Sequence, residues 1–253
     1  MLIAGSGAPA GEVVFLLDVD NTLLDDDRFA ADVEAEIERA LGRDACLRYR
    51  AACRASREAH GHVDYLGALQ VLLGDAPAAD PALLALPDFL LDYPFATCVY
   101  PGSAAALAHL ATLGLPVLLS AGDLVLQPRR IRRAGLWDAV QGRVLLGLHR
   151  EDMLDAVEQA YPARHYVVVD DEPAQLQAAR RKLGGRVTTV FVHQGRHAGE
   201  ADLEHLQPPD LSLARVGELV GLDTSRDLLL QRDFAPMPGP REAAPSHAFG
   251  RTP

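Results

Sequence analysis

Two aspartates separated by one residue, Asp18 and Asp20, begin the stretch of the sequence with the clearest chemical meaning, DVDNT at positions 18–22. They follow the apolar, β-prone run 13–17, which predicts a buried strand with Asp18 at its end. The two carboxylates can reach one small volume, where a cation or a shared proton would have to offset their repulsion. One aspartate can attack phosphorus to form an aspartyl-phosphate, and the other can protonate the leaving alcohol and then deprotonate water. Taken alone, the pattern fits the start of a polar loop equally well.

Apolar, strand-like runs of the same kind recur along the chain, at 116–120, 144–147, 166–170 and 188–193. Between these runs, apolar residues recur at helical spacing. Alternating strands and helices predict a parallel sheet with helices on both faces, and ligands of such sheets bind beyond the carboxyl ends of the strands.

Residues 26–94 break this alternation, because their apolar positions follow helical spacing throughout. Phe29, Val33, Ile37 and Leu41 recur every four residues with acidic residues between them, which predicts an amphipathic helix. We therefore expect an all-helical insertion directly after the first strand, where it can act as a lid over the carboxyl end of that strand.

The expected organisation is a core domain formed by residues 12–25 and 95–232, with the helical insertion 26–94 between its two parts. A chain of 253 residues is long enough for such a core with an appendage. The terminal segments 1–11 and 233–253 are rich in Gly, Ala and Pro and lack periodicity, so we expect both to be flexible.

Composition excludes several classes of protein. A hydrophobic share of 49% with 23% charged residues is typical of globular proteins, and no apolar run approaches the roughly 20 residues of a membrane-spanning helix. The formal charge of −11 disfavours binding to nucleic acids. Cys46, Cys53 and Cys98 are odd in number and form no C-x-x-C pair, which indicates a reducing cytoplasm. Lysine is nearly absent, since Lys182 is the only one and arginine takes its place elsewhere.

The DVDNT stretch after the first strand resembles the first motif, D-x-D-x-T, of the haloacid-dehalogenase-like hydrolase superfamily, and the resemblance extends over most of residues 13–193. It implies a Rossmann-like core with a helical cap in the place occupied by 26–94. The second motif of the family is a Ser or Thr at the end of an apolar strand. Ser120 matches it, and the resemblance makes Ser120 a hydrogen-bond donor to phosphoryl oxygens. Without the rest of the pattern, such a serine is usually a turn residue.

The fourth motif of the family is an acidic cluster after a further strand, and Asp170 and Asp171 match it. The resemblance makes both of them metal-site carboxylates, and Asp171 is the closer match. Together with Asp18 and the backbone carbonyl of Asp20 they would bind Mg²⁺, which prefers hard oxygen ligands. The alternative is that these acidic residues only favour the start of the helix expected near Pro173.

The third motif of the family contains a lysine, and here the chain departs from the pattern. His149-Arg150-Glu151 stands where relatives have His-Lys-Glu, so Arg150 is the candidate replacement that would hold the phosphate. A guanidinium binds phosphate bidentately, but it is longer and planar, so slow or altered catalysis is a possible consequence. The alternative is an arginine on the solvated face of a helix.

These residues predict a magnesium-dependent hydrolase of a small phosphorylated metabolite, with Asp18, Asp20, Ser120 and Arg150 as catalytic residues. Three alternatives remain open. A sugar-phosphate mutase uses the same groups, whereas haloacid dehalogenases generally lack an aspartate at the position of Asp20. A catalytically retired binding or regulatory protein would explain the missing lysine.

Four residues of the insertion could reach an anionic substrate, although such side chains are usually solvated: Arg54, Arg57, His62 and Tyr65.

Overall fold

The computed structural model describes residues 11–74, 81–148, 150–200 and 206–222. Its core is one sheet, whose strands are β1 (Gly11–Leu17), β2 (Leu115–Ala121), β3 (Val144–Gly147), β4 (Ala163–Asp170), β5 (Val187–Val192) and β6 (Leu211–Leu213). The strand order is β3-β2-β1-β4-β5-β6, and every neighbouring pair is parallel. The chain therefore builds outward in both directions from the centre of the sheet, and the switch point lies between β1 and β4.

Helices connect the strands. Four of them lie between β1 and β2 and form the helical insertion: α1 (Asp26–Leu41), α2 (Arg43–His60), α3 (Tyr65–Gly74) and α4 (Pro81–Asp92). The others are α5 (Ser103–Leu113), α6 (Leu126–Arg133), α7 (Leu136–Ala139), α8 (Arg150–Ala160), α9 (Pro173–Leu183) and α10 (Gly195–Glu200). Short 3₁₀ segments lie at Phe95–Cys98, Gly184–Arg186 and Val216–Gly221.

The apolar residues of β1 alternate between two hydrophobic clusters. Phe15 and Leu17 pack on one face with residues of the helical insertion, and Val14 and Leu16 pack on the other face with α8 and α9. All four side chains are fully buried. A strand that is buried on both faces reads as a continuous apolar run, and this is the pattern that predicts β1.

The Rossmann-like α/β fold predicted from the sequence is confirmed. The five predicted strands are present, with the difference that β5 ends at Val192 and not at His193. The sequence does not predict β6, because three residues at a sheet edge give no detectable period. Gly11, expected in the flexible leader, begins β1. The other predictions for the termini lie outside the described residues.

The helical insertion is organised around an aromatic cluster. The ring centre of Phe29 lies 5.0 Å from those of Tyr65, Tyr93 and Phe95. Contacts of this edge-on and tilted kind contribute about 0.5–1.5 kcal/mol each beyond burial. The aromatic cluster is continuous with the hydrophobic cluster on one face of β1, so the insertion packs directly on the sheet. The division into core and cap domains stays a prediction.

No helix within the described part of the chain is long and apolar enough to span a membrane. The cysteines Cys46, Cys53 and Cys98 are all free thiols. Burial raises the pKa of the Cys53 thiol to about 11, so Cys53 is protonated at neutral pH and is a poor nucleophile.

Asp210 fastens the edge strand β6 to β5. Its Oδ2 accepts hydrogen bonds from the backbone N–H and the hydroxyl of Thr189, at 2.8 and 2.9 Å, and pairs with Arg180 at 2.8 Å. Burial by itself would raise the pKa of Asp210, but these bonds outweigh burial and hold the pKa below its ordinary value. The charged form of Asp210 therefore stabilises the folded protein.

Asp210→Asn is expected to lower the free energy of unfolding at neutral pH by about 1–2 kcal/mol. The stability that ionised Asp210 contributes is fully present above the pKa of Asp210 in the unfolded protein. It is lost as pH falls through the lower pKa of Asp210 in the folded protein. The free energies of unfolding of wild type and variant should therefore converge below about pH 4. Urea denaturation at several pH values measures the difference. Asp155→Asn, which removes only an exposed ion pair with Lys182, is the control and should change stability little. Equal losses in both variants would contradict the role of Asp210.

Candidate active site

Three buried carboxylates meet beyond the carboxyl ends of two adjacent strands. Asp18 follows β1, Asp170 ends β4 and Asp171 follows it. The backbone N–H of Asp18 donates to the carbonyl of Val169 at 3.0 Å, which continues the β1–β4 ladder to the site. The three aspartates are only 2–4% exposed. One carboxylate oxygen from each of them lies within 4.8 Å of the corresponding oxygens of the other two aspartates. The structure thus brings together three of the aspartates that the sequence singles out.

The residues of this carboxylate cluster fit a magnesium ion. Three buried carboxylates repel one another strongly unless a cation balances them. Oxygens bound to Mg²⁺ at about 2.1 Å lie about 3–4 Å apart, so a small contraction would let all three ligate one ion. The Thr22 hydroxyl donates to Asp171 Oδ1 at 3.4 Å, and the backbone N–H of Glu172 donates to Asp170 Oδ1 at 2.8 Å. The N-cap of α9 is Glu172, so helix capping does not explain the cluster.

Asn21 holds the loop after β1 in one conformation. Its backbone lies in the left-handed region at φ 59°, which asparagine tolerates better than most residues. Its Oδ1 accepts the backbone N–H groups of Asp26 and Asp27, at 3.0 and 3.2 Å, and so satisfies the first amides of α1. Gly195 approaches so closely that a Cβ there would lie 2.4 Å from the Cβ of Asn21. These contacts fix the position of the neighbouring Asp20.

Asn21→Ala is expected to lower the free energy of unfolding by about 1–2 kcal/mol, because alanine neither accepts the α1 amides nor tolerates positive φ well. Thermal or urea denaturation measures the loss. Gln141→Ala is the matched control, since Gln141 has a similar φ of 54° but its side chain bonds Arg143 and no helix amide. A loss of the same size in both variants would show that backbone strain alone, without the capping bonds, accounts for the effect.

Asp20, the second aspartate of the motif, places its side chain in an ion pair and not in the carboxylate cluster. Its Oδ1 lies 3.0 Å from Nη2 of Arg130, and its Oδ2 accepts a hydrogen bond from Nε2 of Gln127 at 2.7 Å. Gln127 Nε2 also donates to Oγ of Ser120 at 2.7 Å. Gln127 therefore links Asp20 to Ser120, which is buried near the end of β2. The predicted metal contact of Asp20 concerns its backbone carbonyl and stays a prediction.

Arg130 is a buried cation, 2% exposed, that joins α6 to the helical insertion. It pairs with Asp26 of α1 at 2.5 Å as well as with Asp20. Its guanidinium also faces the aromatic cluster, where the nearest ring centre, that of Phe29, is 4.9 Å away. Burial lowers the pKa of Arg130, but the two carboxylates outweigh burial, so the pKa is raised overall. Arg130 is therefore a permanent positive charge beside Asp20.

The cleft between the insertion and the core is narrow in this structure. Arg57 of α2 bridges it through an ion pair with Glu172 at 2.5 Å. The space that remains is lined by Asp20, His62 and Tyr65 among others, and its volume of about 30 Å³ leaves room for only a few water molecules. Burial lowers the pKa of His62, so its imidazole is neutral at physiological pH. The cleft therefore leaves little room for a phosphate ester in this structure.

Arg150, the candidate replacement for the third-motif lysine, is the first residue of α8. It follows β3, whose carboxyl end lies at the same edge of the sheet as the carboxylate cluster, because β3, β2 and β1 are parallel. The side chain of Arg150 and the whole of His149 lie outside the described residues. A contact between Arg150 and phosphate stays a prediction.

The sequence does not single out Gln127 and Arg130, although both contact Asp20 or its partners. Arg130 is one of four arginines in α6, and composition does not distinguish it from its exposed neighbours. One signal was available: Arg130 lies four residues after Leu126 and one before Ile131, so it occupies the buried face of the helix. A charged residue on such a face requires a charged partner.

The parallel sheet places the carboxylate cluster at its switch point, where ligands of open α/β sheets bind. The profile of the haloacid dehalogenase-like hydrolase family matches residues 13–181. The chain belongs to this family. No curated protein matches it.

Solved structures extend the comparison. A haloacid dehalogenase-like hydrolase from Burkholderia xenovorans LB400 is 46% identical, with 86% of this chain and 98% of that chain covered and a TM-score of 0.79. The L-2-haloacid dehalogenase of Xanthobacter autotrophicus is 19% identical over 83% and 97% of the two chains, with a TM-score of 0.53. The HAD-hydrolase YfnB of Bacillus subtilis, bound to magnesium, is 15% identical over 83% and 97%, with a TM-score of 0.58. The last two share the fold alone.

Proposed function

We propose that the protein is a magnesium-dependent hydrolase of small phosphate esters. The observation that carries this proposal is the cluster of Asp18, Asp170 and Asp171 at the switch point of the sheet, with Asp20 two residues beyond Asp18. Hydrolases of this family generally use a divalent metal. Phosphoryl transfer uses a bound cation and a group that exchanges protons. The buried carboxylates of the cluster require a cation, and the further carboxylate beside them can exchange protons.

Asp18 is the nucleophile of the proposed reaction. Attack of its carboxylate on phosphorus releases the alcohol and leaves an aspartyl-phosphate, which water then hydrolyses to regenerate the carboxylate. Asp18, Asp170 and Asp171, with the backbone carbonyl of Asp20, would hold Mg²⁺, which would balance the charge of the cluster and of the transferring phosphoryl group.

Asp20 protonates the leaving alcohol and then accepts a proton from the attacking water. Asp20 enters the first step protonated. The ion pair with Arg130 stabilises the carboxylate that remains after the alcohol has taken the proton, and the attacking water then returns a proton to it. Arg130 and Gln127 each engage one oxygen of Asp20, so the carboxylate is oriented before substrate arrives. Both are positioning residues, because neither needs to touch the phosphate.

Ser120 and Arg150 bind the phosphoryl oxygens in this proposal. Ser120 lies near the carboxyl end of β2, beside β1 and its nucleophile, and Gln127 already orients its hydroxyl. Arg150 begins α8 at the same edge of the sheet. A serine hydroxyl and a guanidinium supply hydrogen bonds and positive charge to the phosphoryl group, where negative charge must be stabilised.

Two of the three alternatives use this site less completely. Carbon–halogen hydrolysis needs neither a metal nor a leaving-group acid, so it leaves Asp20 and the charge of the carboxylate cluster without a role. A sugar-phosphate mutase must hold a second sugar hydroxyl in place of water, and label retained between substrate and product phosphates would identify it. A binding protein without activity has no need of a nucleophile beside a metal site.

The experiment that tests the proposal is phosphate release from a panel of small phosphate esters, measured with Mg²⁺ and with a chelator. We expect release with Mg²⁺ that stops when the metal is removed. A parallel assay of halide release from short 2-haloacids is expected to give none. Metal-independent halide release without phosphate release would replace the proposed reaction with dehalogenation, and neither product from folded protein would support a binding role.

A further inference from the structure

The helical insertion contains a second, larger cavity beside the active-site cleft, which we call the arginine cavity. It lies between α1 and α2, and its volume of about 370 Å³ falls within the range of small-ligand sites. One acidic residue, Glu34, lines it. The cationic residues that line it are Arg50, Arg54, Arg57 and Arg196.

The arrangement of these arginines follows from the sequence of α2. Arg50, Arg54 and Arg57 are spaced by four and three residues, which places them on one face of the helix. Arg196, at the start of α10, adds a fourth guanidinium from the core. Three of these arginines are paired with carboxylates, so the uncompensated positive charge of the cavity comes from Arg54.

Two of these arginines, Arg50 and Arg196, have partners that are easily displaced. Arg50 pairs with Glu34 at 2.6 Å, and Arg196 pairs with Asp27 at 3.2 Å. The arginine side chains in these pairs are 49% and 44% exposed, and ion pairs that exposed contribute little to stability. Arg54 makes no hydrogen bond or ion pair with any other residue in the described ranges. An incoming anion therefore meets guanidinium groups that are available to it.

The arginine cavity adjoins the site of the proposed reaction. Arg57, Val63 and Tyr65 line both this cavity and the cleft that contains Asp20. Arg57 also pairs with Glu172, the residue after Asp171 of the carboxylate cluster. A ligand whose phosphate lies at the carboxylate cluster can therefore extend past Arg57 into the cavity once the insertion opens.

We infer that the arginine cavity binds a second anionic group of the substrate, at the end remote from the phosphate that is hydrolysed. This inference rests on the proposed function and narrows it to phosphate esters that carry a terminal carboxylate or a second phosphate. Arginine binds both groups bidentately, and several guanidinium groups in one cavity discriminate against a neutral end of the same shape.

The inference is tested with short alkyl monophosphates in matched sets that end in a methyl group, a carboxylate or a second phosphate. For the wild type we expect kcat/KM to be at least about tenfold higher for one of the anionic ends than for the methyl end. Arg54→Gln is expected to remove most of this preference by raising KM for the substrate with the anionic end. Arg48→Gln, an exposed arginine of α2 outside the cavity, is the matched control and should keep the preference. A preference unchanged by Arg54→Gln would overturn the inference.

A binding measurement separates this inference from the proposed reaction. With chelator present, the carboxylate cluster repels anions, so calorimetric titration with succinate or with inorganic phosphate reports on the arginine cavity. We expect one of the two anions to bind the wild type and Arg48→Gln, and to bind Arg54→Gln about tenfold more weakly. Such binding without hydrolysis of any ester would refute the reaction and support the cavity. Hydrolysis without anion binding or terminal preference would refute the cavity alone.

Discussion

Asp18→Asn is expected to lower kcat for any phosphate ester that the protein hydrolyses by at least about 10⁴-fold. The amide of asparagine cannot form the acyl phosphate, and it also removes one charged ligand from the carboxylate cluster. In the presence of chelator the variant should be at least as stable as the wild type, because one of three mutually repelling carboxylates has been neutralised. Phosphate release and thermal unfolding with chelator measure the two effects.

Asp44→Asn is the control for this prediction, since Asp44 is an exposed aspartate of α2 away from the cluster. It should leave both turnover and stability unchanged. Added Mg²⁺ should raise the melting temperature of the wild type and of the control more than that of Asp18→Asn. Retention of activity within about tenfold in Asp18→Asn would place the nucleophile on another residue.

Arg130→Met is expected to lower the free energy of unfolding by about 3–5 kcal/mol, the usual cost of leaving buried charges without their partner. Methionine can occupy much of the space beside the aromatic cluster, so the loss arises mainly from Asp20 and Asp26, which remain without their shared cation. Urea denaturation at neutral pH measures it. Arg129→Met is the matched control, because the contacts of the neighbouring Arg129, an ion pair with Asp92 and a hydrogen bond to the carbonyl of Leu91, are exposed.

A second substitution shows whether charge is the cause of this loss. Adding Asp26→Asn to Arg130→Met removes one of the two uncompensated carboxylates, so the double variant should recover at least about 1 kcal/mol relative to Arg130→Met alone. A cost for Arg130→Met no larger than that for Arg129→Met would contradict the role of Arg130 as the cation that holds Asp20.

The sequence predicts the sheet and the carboxylate cluster because both depend on local pattern. The apolar runs before Asp18 and Asp170 mark buried strands, and a parallel sheet brings the carboxyl ends of neighbouring strands to one edge. The same reasoning predicts that helices follow β1, since the apolar spacing from Phe29 to Leu41 has a helical period and α1 spans it.

The contacts of Asp20 could not be predicted, because they join residues that are distant along the chain. Gln127 is 107 positions away from Asp20, and 115 positions separate Arg57 from Glu172 across the cleft. Which arginine of α6 turns inward depends on how the helix packs against the insertion, and no local period encodes that orientation. The arginine cavity likewise requires α10 to bring Arg196 beside α2.

The most direct test of the central claim is to locate the phosphate on the protein during turnover. Protein mixed with a phosphate ester that it hydrolyses, in Mg²⁺, is quenched in acid within the first turnover, and its peptides are mapped by mass spectrometry. We predict phosphate on Asp18, absent when chelator replaces Mg²⁺ and absent in Asp18→Asn. Phosphate on another residue, or continued turnover with no phosphorylated peptide, would contradict Asp18 as the nucleophile.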